Sequence, residues 1–177
     1  LNFKPNKEDF YNFDSLIKIK KNKLKINYNK DKWSVEGEGK YSLDEKFDNI
    51  KYSLSSNNNI LKFKNSVNLN NIPIKIKLLN YNKNEDQEAK LIFEGEYKKN
   101  SFLNFNNITY NENKTFLNLK KIFLNKNFRI IKLNKLKLNL IDSNKKENNF
   151  FLLKSDNDYK LKSDNFDASI FLYNLLN

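Results

Sequence analysis

The chain of 177 residues contains no cysteine, no histidine and no methionine. Without cysteine it has no disulfide, no thiolate zinc site and no thiol nucleophile. Without histidine it lacks the imidazole that most often serves as general base and transition-metal ligand. Glycine and proline are also rare, with three and two residues, too few for a glycine-rich phosphate loop. The composition therefore predicts no cofactor and disfavours an enzyme.

Arginine is nearly absent, although the chain is strongly basic. Arg129 is the only arginine, and the net charge of +12 comes from lysine. Arginine is the residue that forks onto phosphate groups and guanine edges, so we expect no specific nucleic-acid partner. Most lysines are interpreted as solvated strand faces. The aromatic content of 14% is high for a disordered chain, and an ordered fold is expected.

The chain does have a period-two alternation of apolar and polar residues, from Leu16 almost to Asp164. Such alternation gives a strand one apolar and one polar face. The predicted strands are 16–20, 24–28, 33–43, 50–54, 60–69, 72–79, 89–97, 102–110, 115–124, 128–141, 149–154 and 159–163. Asn, Asp and Lys fill the turns between them, where Asn and Asp replace Gly because they tolerate left-handed backbone angles.

These features predict an all-β fold, an elongated twisted antiparallel sheet that forms a β-groove or an open, β-sandwich-like arrangement. Residues 1–177 are one β-rich domain, with a leading loop (1–14), antiparallel strands (15–165) and a short C-terminal helix (166–176). Asp167 is placed to cap that helix. The chain has no run long enough to cross a bilayer. Because it begins at Leu1 rather than Met and stops just after an apolar segment, we expect it to be a fragment of a longer protein.

Two clusters of acidic residues are candidate sites. Glu36 and Glu38 share one face of strand 33–43, and carboxylate pairs perform glycoside hydrolysis. That face is the polar one, so a solvated strand is the simpler interpretation. Near the C-terminus, 156–158 and 164–167 offer oxygen ligands for calcium, but a turn and a helix cap explain both groups. On the apolar face of the same strand, Gly37 and Gly39 indicate a bulge or a close backbone approach.

Two stretches resemble a known family, the AsmA-like periplasmic proteins of the YhdP and TamB group. Residues 67–78, a polar gap and 89–95 are similar to its recurrent pattern, in which a short strand leads to a proline-containing strand and then to a strand ending near glycine. Residues 165–176 resemble the Phe-Asp-Ala start of the apolar helix that ends AsmA-type segments. These proteins build long β-sheet grooves that move lipid between two membranes.

The resemblance implies a non-enzymatic envelope protein segment whose apolar groove serves inter-membrane phospholipid transport or outer-membrane maintenance. Phospholipid acyl chains would lie along a floor that includes Ile74, Ile76, Leu78, Leu91 and Phe93. It also implies a location on the periplasmic side of a bacterial inner membrane, with the anchor in regions outside this segment. It implies no catalytic residue, no metal and no cofactor.

Two other interpretations stay open. A structural or adhesion β-module of a surface protein would pack its apolar face against itself and bind no ligand. A carbohydrate-processing enzyme would hold Glu36 and Glu38 in a cleft. Lipid carriage, in contrast, predicts an accessible apolar channel.

Overall fold

The computed structural model describes residues 18–30, 32–42, 45–155, 158–167 and 169, without the side chain of Leu78. The strands are β1 (Lys18–Asn29), β2 (Lys32–Ser42), β3 (Asp48–Asn57), β4 (Ile60–Asn68), β5 (Ile74–Ile76), β6 (Tyr81–Lys83), β7 (Ala89–Lys98), β8 (Phe102–Glu112), β9 (Thr115–Asn125), β10 (Ile130–Ile141), β11 (Glu147–Ser155) and β12 (Asp158–Lys162). Ten of them form one sheet, and β5 and β6 form a separate pair. The prediction of an all-β, antiparallel fold is confirmed.

The large sheet is a meander with the order β1-β2-β3-β4-β7-β8-β9-β10-β11-β12. Residues 69–88, here called the excursion, leave it after β4 and return to it at β7. Consecutive antiparallel strands place alternate turns at opposite ends of a sheet. The open end carries the β1–β2, β3–β4, β7–β8, β9–β10 and β11–β12 turns. The covered end is the opposite one, where the excursion packs.

The turns use asparagine where glycine is common. Asn58 and Asn59, which form the two-residue turn between β3 and β4, have φ values of 50° and 60°. Two positive φ angles are what a type I′ hairpin turn requires. Asn100 in the β7–β8 turn is also left-handed, whereas no glycine has a positive φ. The predicted role of asparagine in the turns is confirmed.

The excursion differs from the prediction of a strand over 72–79. Only Ile74–Ile76 is a strand, and a single 3₁₀ turn, Lys77–Leu79, follows it. The turn ends at Asn80, whose φ of 47° is left-handed, and the chain then reverses into β6. Leu78 and Leu79 are adjacent apolar residues, so the period-two pattern already ends there and a continuous strand is not favoured.

The excursion packs on the sheet at the covered end and forms the core there. Tyr81 lies in a buried cluster with Ala89, Tyr110, Leu138 and Leu140. Hydrogen bonds also tie the excursion to two turns of the sheet: the Asn71 N–H donates to Asp48 Oδ2 (2.9 Å), and the Ser143 N–H donates to the Asn80 carbonyl (2.8 Å). The largest buried cluster therefore lies at one end of one face.

A buried lysine holds the excursion in shape. Lys83, in β6, has no exposed surface. Its Nζ donates to the carbonyls of Asn70 (3.1 Å), Ile72 (3.0 Å) and Asn84 (2.8 Å). Burial lowers the pKa of Lys83 because it disfavours the charged form. The three carbonyls use all three ammonium protons, so the buried charge is fully hydrogen-bonded.

The predicted strands 16–20 and 24–28 belong to one strand, as far as the described residues show. β1 pairs with β2 along its length, with an irregularity between Lys20 and Lys23 where Lys21 has a φ of 49°. A Cβ on Gly39, in β2, would lie 3.1 Å from the Cα of Asn22. Gly39 therefore faces a bulge in the neighbouring strand, one of the two alternatives for this residue.

The alternation skips one residue at the same height in three neighbouring strands. The skipped residues are Asn106 in β8, Lys121 in β9 and Asn134 in β10, and the apolar residues flanking them are Phe105 and Ile108, Leu119 and Ile122, and Leu133 and Leu136. In each strand, the skipped residue brings the next apolar residue back to the same face of the sheet. The three strands skip together, so residues on both sides of the skip remain paired. The sequence analysis placed strands at 102–110, 115–124 and 128–141 without identifying these skips.

The predicted leading loop (1–14) and nearly all of the predicted helix (166–176) lie outside the described residues. Asp167 accepts a hydrogen bond from the Ser169 N–H at 3.1 Å, which is the contact of an N-cap residue. The hydrogen bond from Lys146 Nζ, at 2.6 Å, holds the pKa of Asp167 well below its usual range. This pair fixes the end of the chain segment that follows β12.

Candidate ligand-binding surfaces

The strands place their apolar residues on a common side of the sheet, here called the apolar face. Residues opposite each other in antiparallel strands point to the same side, so the register aligns them. One apolar row crosses all ten strands in two aligned runs: Ile26, Val35, Leu54 and Phe63 in β1 to β4, and Phe93, Ile108, Leu119, Leu136, Leu152 and Leu161 in β7 to β12. The two runs are offset by two residues between β4 and β7, because Phe63 lies opposite Gly95 and Phe93 lies opposite Asn65. The excursion covers this face near the covered end, and the row itself lies closer to the middle of the sheet.

The apolar row is most accessible at the two edges of the sheet. Ile26 in β1 is 62% exposed and Leu161 in β12 is 59% exposed, while the residues between them in the row are half-buried. β1 and β12 are edge strands, each paired on one side within the described residues. Apolar side chains that are exposed along a contiguous surface commonly mark an interaction site.

The five residues predicted to form a groove floor lie in two parts of the structure. Leu91 and Phe93 are half-buried on the apolar face of β7. Ile74 belongs to the excursion and packs against the core, whereas Ile76 is 40% exposed at the end of β5. Leu78 lies in the 3₁₀ turn, and its side chain is outside the described part. The five do not form one row, and their contact with lipid stays a prediction.

Three phenylalanine rings form a cluster in the middle of the apolar face. The ring centroids of Phe63 and Phe105 are 5.6 Å apart, and those of Phe93 and Phe105 are 6.4 Å apart, both edge-on. Gly95 makes this packing possible, because a Cβ there would collide with the Asn104 carbonyl and would lie 2.9 Å from Phe63 Cζ. The ring of Phe63 therefore occupies the space above Gly95.

The ring of Tyr52 covers Gly37 in the same way. A Cβ on Gly37 would overlap the Tyr52 ring, and the Tyr52 hydroxyl is within hydrogen-bond distance of both the Nδ2 (2.9 Å) and the Oδ1 (3.1 Å) of Asn22. Gly37 thus permits the close approach of a side chain. The sequence analysis predicted either a bulge or a close backbone approach at Gly37. The structure shows a side chain, the Tyr52 ring, at this position instead.

On the opposite, polar face, β2 to β7 carry a ladder of cross-strand ion pairs. Lys51 lies 3.3 Å from Glu38, Lys62 lies 3.6 Å from Glu96, and Lys64 lies 3.6 Å from Glu94. The three lysines and Glu38 are largely exposed to solvent, and Glu94 and Glu96 are partly exposed. Ion pairs in such solvated positions contribute little to stability. Their consequence is electrostatic, since Lys51, Lys62 and Lys64 are each matched by a carboxylate.

The two predicted carboxylates, Glu36 and Glu38, line an open hollow on this polar face. The hollow has a volume of 720 Å³, and Lys25, Lys51 and Lys64 also line it. Both glutamates are exposed, Glu36 lies opposite Lys25 and Glu38 pairs with Lys51. A carboxyl group is prepared for general-acid catalysis by burial, which neither residue has. The two carboxylates therefore line the same hollow and both remain exposed to solvent.

The polar face changes character across β8 to β11, where it carries phenylalanine. Phe102 and Phe123 stack with ring centroids 5.4 Å apart. Lys137 Nζ lies 5.9 Å above the ring of Phe116, and Lys135 Nζ lies 5.3 Å above that of Phe151. The sequence analysis did not place any of these rings on the polar face. The signal was available, because Phe102-Leu103 and Phe123-Leu124 are adjacent apolar pairs that put one member on each face.

A buried hydroxyl chain joins the excursion to β8. Tyr81 donates to Glu112 Oε2 at 2.9 Å, and its oxygen lies 2.7 Å from the Tyr110 hydroxyl. Burial raises the pKa of Tyr110 to about 12 and raises that of Tyr81 further because it disfavours the phenolate. The cavity described above does not reach these groups, so their geometry indicates a structural contact.

Neither a metal site nor a membrane-spanning helix is found in the part of the chain that the structure describes. No group of three or more Asp and Glu side chains is arranged there to hold a metal ion. No helix in these residues is long and apolar enough to cross a bilayer. Asp164 and Asp167, two of the predicted calcium ligands, lie among them, while residues 156 and 157 do not.

Known proteins provide no assignment. No protein-family model matches the chain, and no curated protein or solved structure matches it. The likeness to AsmA-like proteins therefore stays an expectation from the sequence.

Proposed function

We propose that this chain is a non-enzymatic segment of an envelope protein and that its apolar face carries phospholipid acyl chains. The observation that supports the proposal is the apolar row, which crosses ten strands and is exposed at both edges of the sheet. In this proposal the acyl chains lie against the row and the headgroups stay in water. Each methylene moved from water onto such a surface stabilises the complex by about 0.8 kcal/mol.

The proposal includes the finer features implied by the AsmA-like resemblance. The sheet is a twisted groove within a longer chain, located on the periplasmic side of a bacterial inner membrane and anchored outside this segment. Its role is inter-membrane phospholipid transport or outer-membrane maintenance. The meander supports a groove of this kind, because sheets built from consecutive hairpins leave both edges available for further strands.

The test is native mass spectrometry with lipid extraction on the purified chain. The decisive pair of variants is Phe93→Asp and Ile92→Asp. These residues are neighbours in β7 and both are half-buried, but Phe93 lies on the apolar face and Ile92 lines the polar hollow. We expect wild type and Ile92→Asp to retain phospholipid and Phe93→Asp to lose it.

Because Phe93 contacts other rings, a milder variant is needed in parallel. Ile26→Asp changes a residue of the apolar row that is already 62% exposed, so the fold should tolerate it. Far-ultraviolet circular dichroism and thermal melting report whether each variant is folded. A stable wild-type chain that contains no phospholipid, or equal retention by all three variants, would reject lipid carriage by this face.

The alternative function is a structural or adhesion β-module without a ligand. The specific observation in its favour is the Phe63, Phe93 and Phe105 cluster, in which the rings bury one another on a single sheet. In that case the apolar face packs against itself or against neighbouring protein. The lipid-free outcome of the same experiment would favour this function.

A further inference from the structure

The β9–β10 turn and the start of β10 expose three large apolar side chains at the open end of the sheet. Phe128 is 61% exposed, Ile130 is 64% exposed and Ile131 is 59% exposed. They lie within residues 125–132, here called the tip. Isolated exposed apolar residues are common on protein surfaces, but three within four consecutive positions form a patch. The patch spans the turn and the first two residues of β10, where Ile130 pairs with Leu124.

Hydrogen bonds to one asparagine give the tip a defined shape. Asn125 Oδ1 accepts from the N–H of Asn127 (2.9 Å) and from that of Arg129 (3.1 Å). The Asn125 carbonyl accepts from the N–H of Phe128 at 2.9 Å, and the Asn125 N–H donates to the Arg129 carbonyl at 3.0 Å. The turn is thus closed at its base, and Phe128 is held outside it.

Phe128 adopts a backbone conformation that does not suit it. Its φ is 56°, in the left-handed region that favours Gly, Asn and Asp. The described residues with positive φ are otherwise Lys, Asn or Asp, such as Lys30, Asn58 and Asn100 in the other open-end turns. An exposed phenylalanine at this place gains no burial and opposes the local backbone preference. Stability therefore does not explain it.

The charge around the tip is uniformly positive. Residues 113–141 contain eight Lys or Arg residues and no Asp or Glu. Lys126, Arg129 and Lys132 flank the apolar residues of the tip and are exposed. Among the described residues, no carboxylate lies within ion-pair distance of these three. They differ from the lysines of β3 and β4, which pair with glutamates.

The two ends of the sheet also differ in charge. The described part of the open-end turns includes Lys30, Lys98, Lys99, Lys126 and Arg129. The covered end carries most of the acidic turn residues, among them Asp48, Glu85, Asp86, Glu112 and Asp142. These carboxylates are offset by lysines such as Lys46, Lys77, Lys145 and Lys146, so an anionic surface would attract the open end more strongly than the covered end.

We propose that the tip docks the protein onto the surface of an anionic phospholipid bilayer. Phe128, Ile130 and Ile131 insert at the boundary between headgroups and acyl chains, and Lys126 and Arg129 contact the lipid phosphates. Apolar anchors combined with basic residues are the general requirements for reversible binding to anionic membranes. The aliphatic pair at the tip suits hydrocarbon better than the stacked bases of a nucleic acid, which bind to aromatic rings.

The experiment is vesicle flotation of the purified chain. The vesicles are neutral phosphatidylcholine alone or phosphatidylcholine with 30% phosphatidylglycerol. We expect binding to the anionic vesicles, weakening with added salt, and little binding to the neutral ones. Phe128→Asn should lower the affinity roughly 10- to 100-fold. Asn suits a left-handed backbone, so this variant should fold at least as well as wild type.

Two further variants separate the roles of charge and apolar contact. The double variant Lys126→Gln with Arg129→Gln should lower the affinity roughly 10- to 30-fold. Leu153→Ser is the control, because Leu153 is an exposed apolar residue that lies in β11 opposite Lys135 on the polar face, outside both the tip and the apolar row. It should leave vesicle binding unchanged.

Several outcomes would overturn the docking role. They are equal binding to neutral and anionic vesicles, unchanged binding by Phe128→Asn, or an equal loss caused by Leu153→Ser. Binding of a single-stranded oligonucleotide instead of vesicles would assign the tip to nucleic acid. The proposal does not depend on lipid carriage, since flotation measures attachment and extraction measures retained lipid.

Discussion

Lys83 provides the sharpest test of how the excursion is held on the sheet. Lys83→Met keeps a long unbranched side chain and removes the ammonium group. The three carbonyls of Asn70, Ile72 and Asn84 then lose their donor. An unsatisfied buried acceptor costs about 1–3 kcal/mol, and removing a buried charge returns part of that free energy. We expect a net loss of about 3 kcal/mol in the free energy of unfolding, a large fraction of the 5–15 kcal/mol typical of a domain.

Urea unfolding and native-state hydrogen exchange measure this loss. The variant should have a lower midpoint, and amides of residues 69–88 should exchange faster than those of β9 and β10. Lys75→Met is the control, because Lys75 is exposed on β5 of the same excursion, and it should change the free energy by less than about 0.5 kcal/mol. Equal midpoints for wild type and Lys83→Met, with unchanged exchange in 69–88, would refute the carbonyl clamp.

The pH dependence of the same comparison tests the burial of the charge. Because burial lowers the pKa of Lys83, the unfolded chain binds more protons than the folded one just below the ordinary lysine pKa of about 10.4. The free energy of unfolding of wild type, relative to Lys83→Met, should therefore rise with pH across that window. A difference that is constant between pH 8 and 10.5 would contradict a lowered pKa.

Three other substitutions give direct expectations. Gly95→Ala should destabilise the protein by at least about 2 kcal/mol in urea unfolding, because its Cβ collides with the Asn104 carbonyl; an unchanged midpoint would mean that the strand pair relaxes freely. Tyr81→Phe removes a donor to buried Glu112 and should cost about 1–3 kcal/mol at pH 8. Burial raises the Tyr81 pKa, so wild-type stability falls as the unfolded tyrosines ionise above pH of about 10, and this variant should show a shallower fall; parallel pH profiles would contradict it. Phe128→Asn should raise the thermal midpoint, reflecting a gain of about 0.5–1 kcal/mol from relief of the left-handed backbone; a lower midpoint would show that Phe128 packs against the sheet.

The strands were predictable because alternation is a local property of the chain. Strand 89–97 was expected and Ala89–Lys98 is observed, and 115–124 was expected where Thr115–Asn125 is observed. The same alternation correctly placed Leu91 and Phe93 on the apolar face. Each of these assignments depends only on residues one or two positions apart.

The skips in β8, β9 and β10 were missed although the chain records them. The spacing of three between Phe105 and Ile108 would reverse the face of all later residues in a regular strand. Within a single strand such a spacing is ambiguous, since a frayed or shorter strand explains it equally well. It can be recognised as a skipped residue only when neighbouring strands skip at the same height, and this comparison requires knowledge of the strand register.

The burial of Lys83 could not be derived from its neighbours in the sequence. Lysine is almost never fully buried without partners, and its partners here are backbone carbonyls rather than side chains. The exposure of Phe128 is the opposite case. Alternation does not specify which apolar residues a turn leaves in water, so the tip was identified from the structure.

The neighbour-to-neighbour pairing of this sheet has a consequence for how its size can change. Each strand of the ten is hydrogen-bonded to strands close to it in the chain, and β1 and β12 have one unpaired edge within the described residues. A hairpin added beside either strand would leave every existing pair in place and would widen the sheet by roughly 9.6 Å. A closed barrel has no such freedom, because strand number, tilt and stagger are linked. The width of this surface is therefore a quantity that gene duplication can adjust one hairpin at a time.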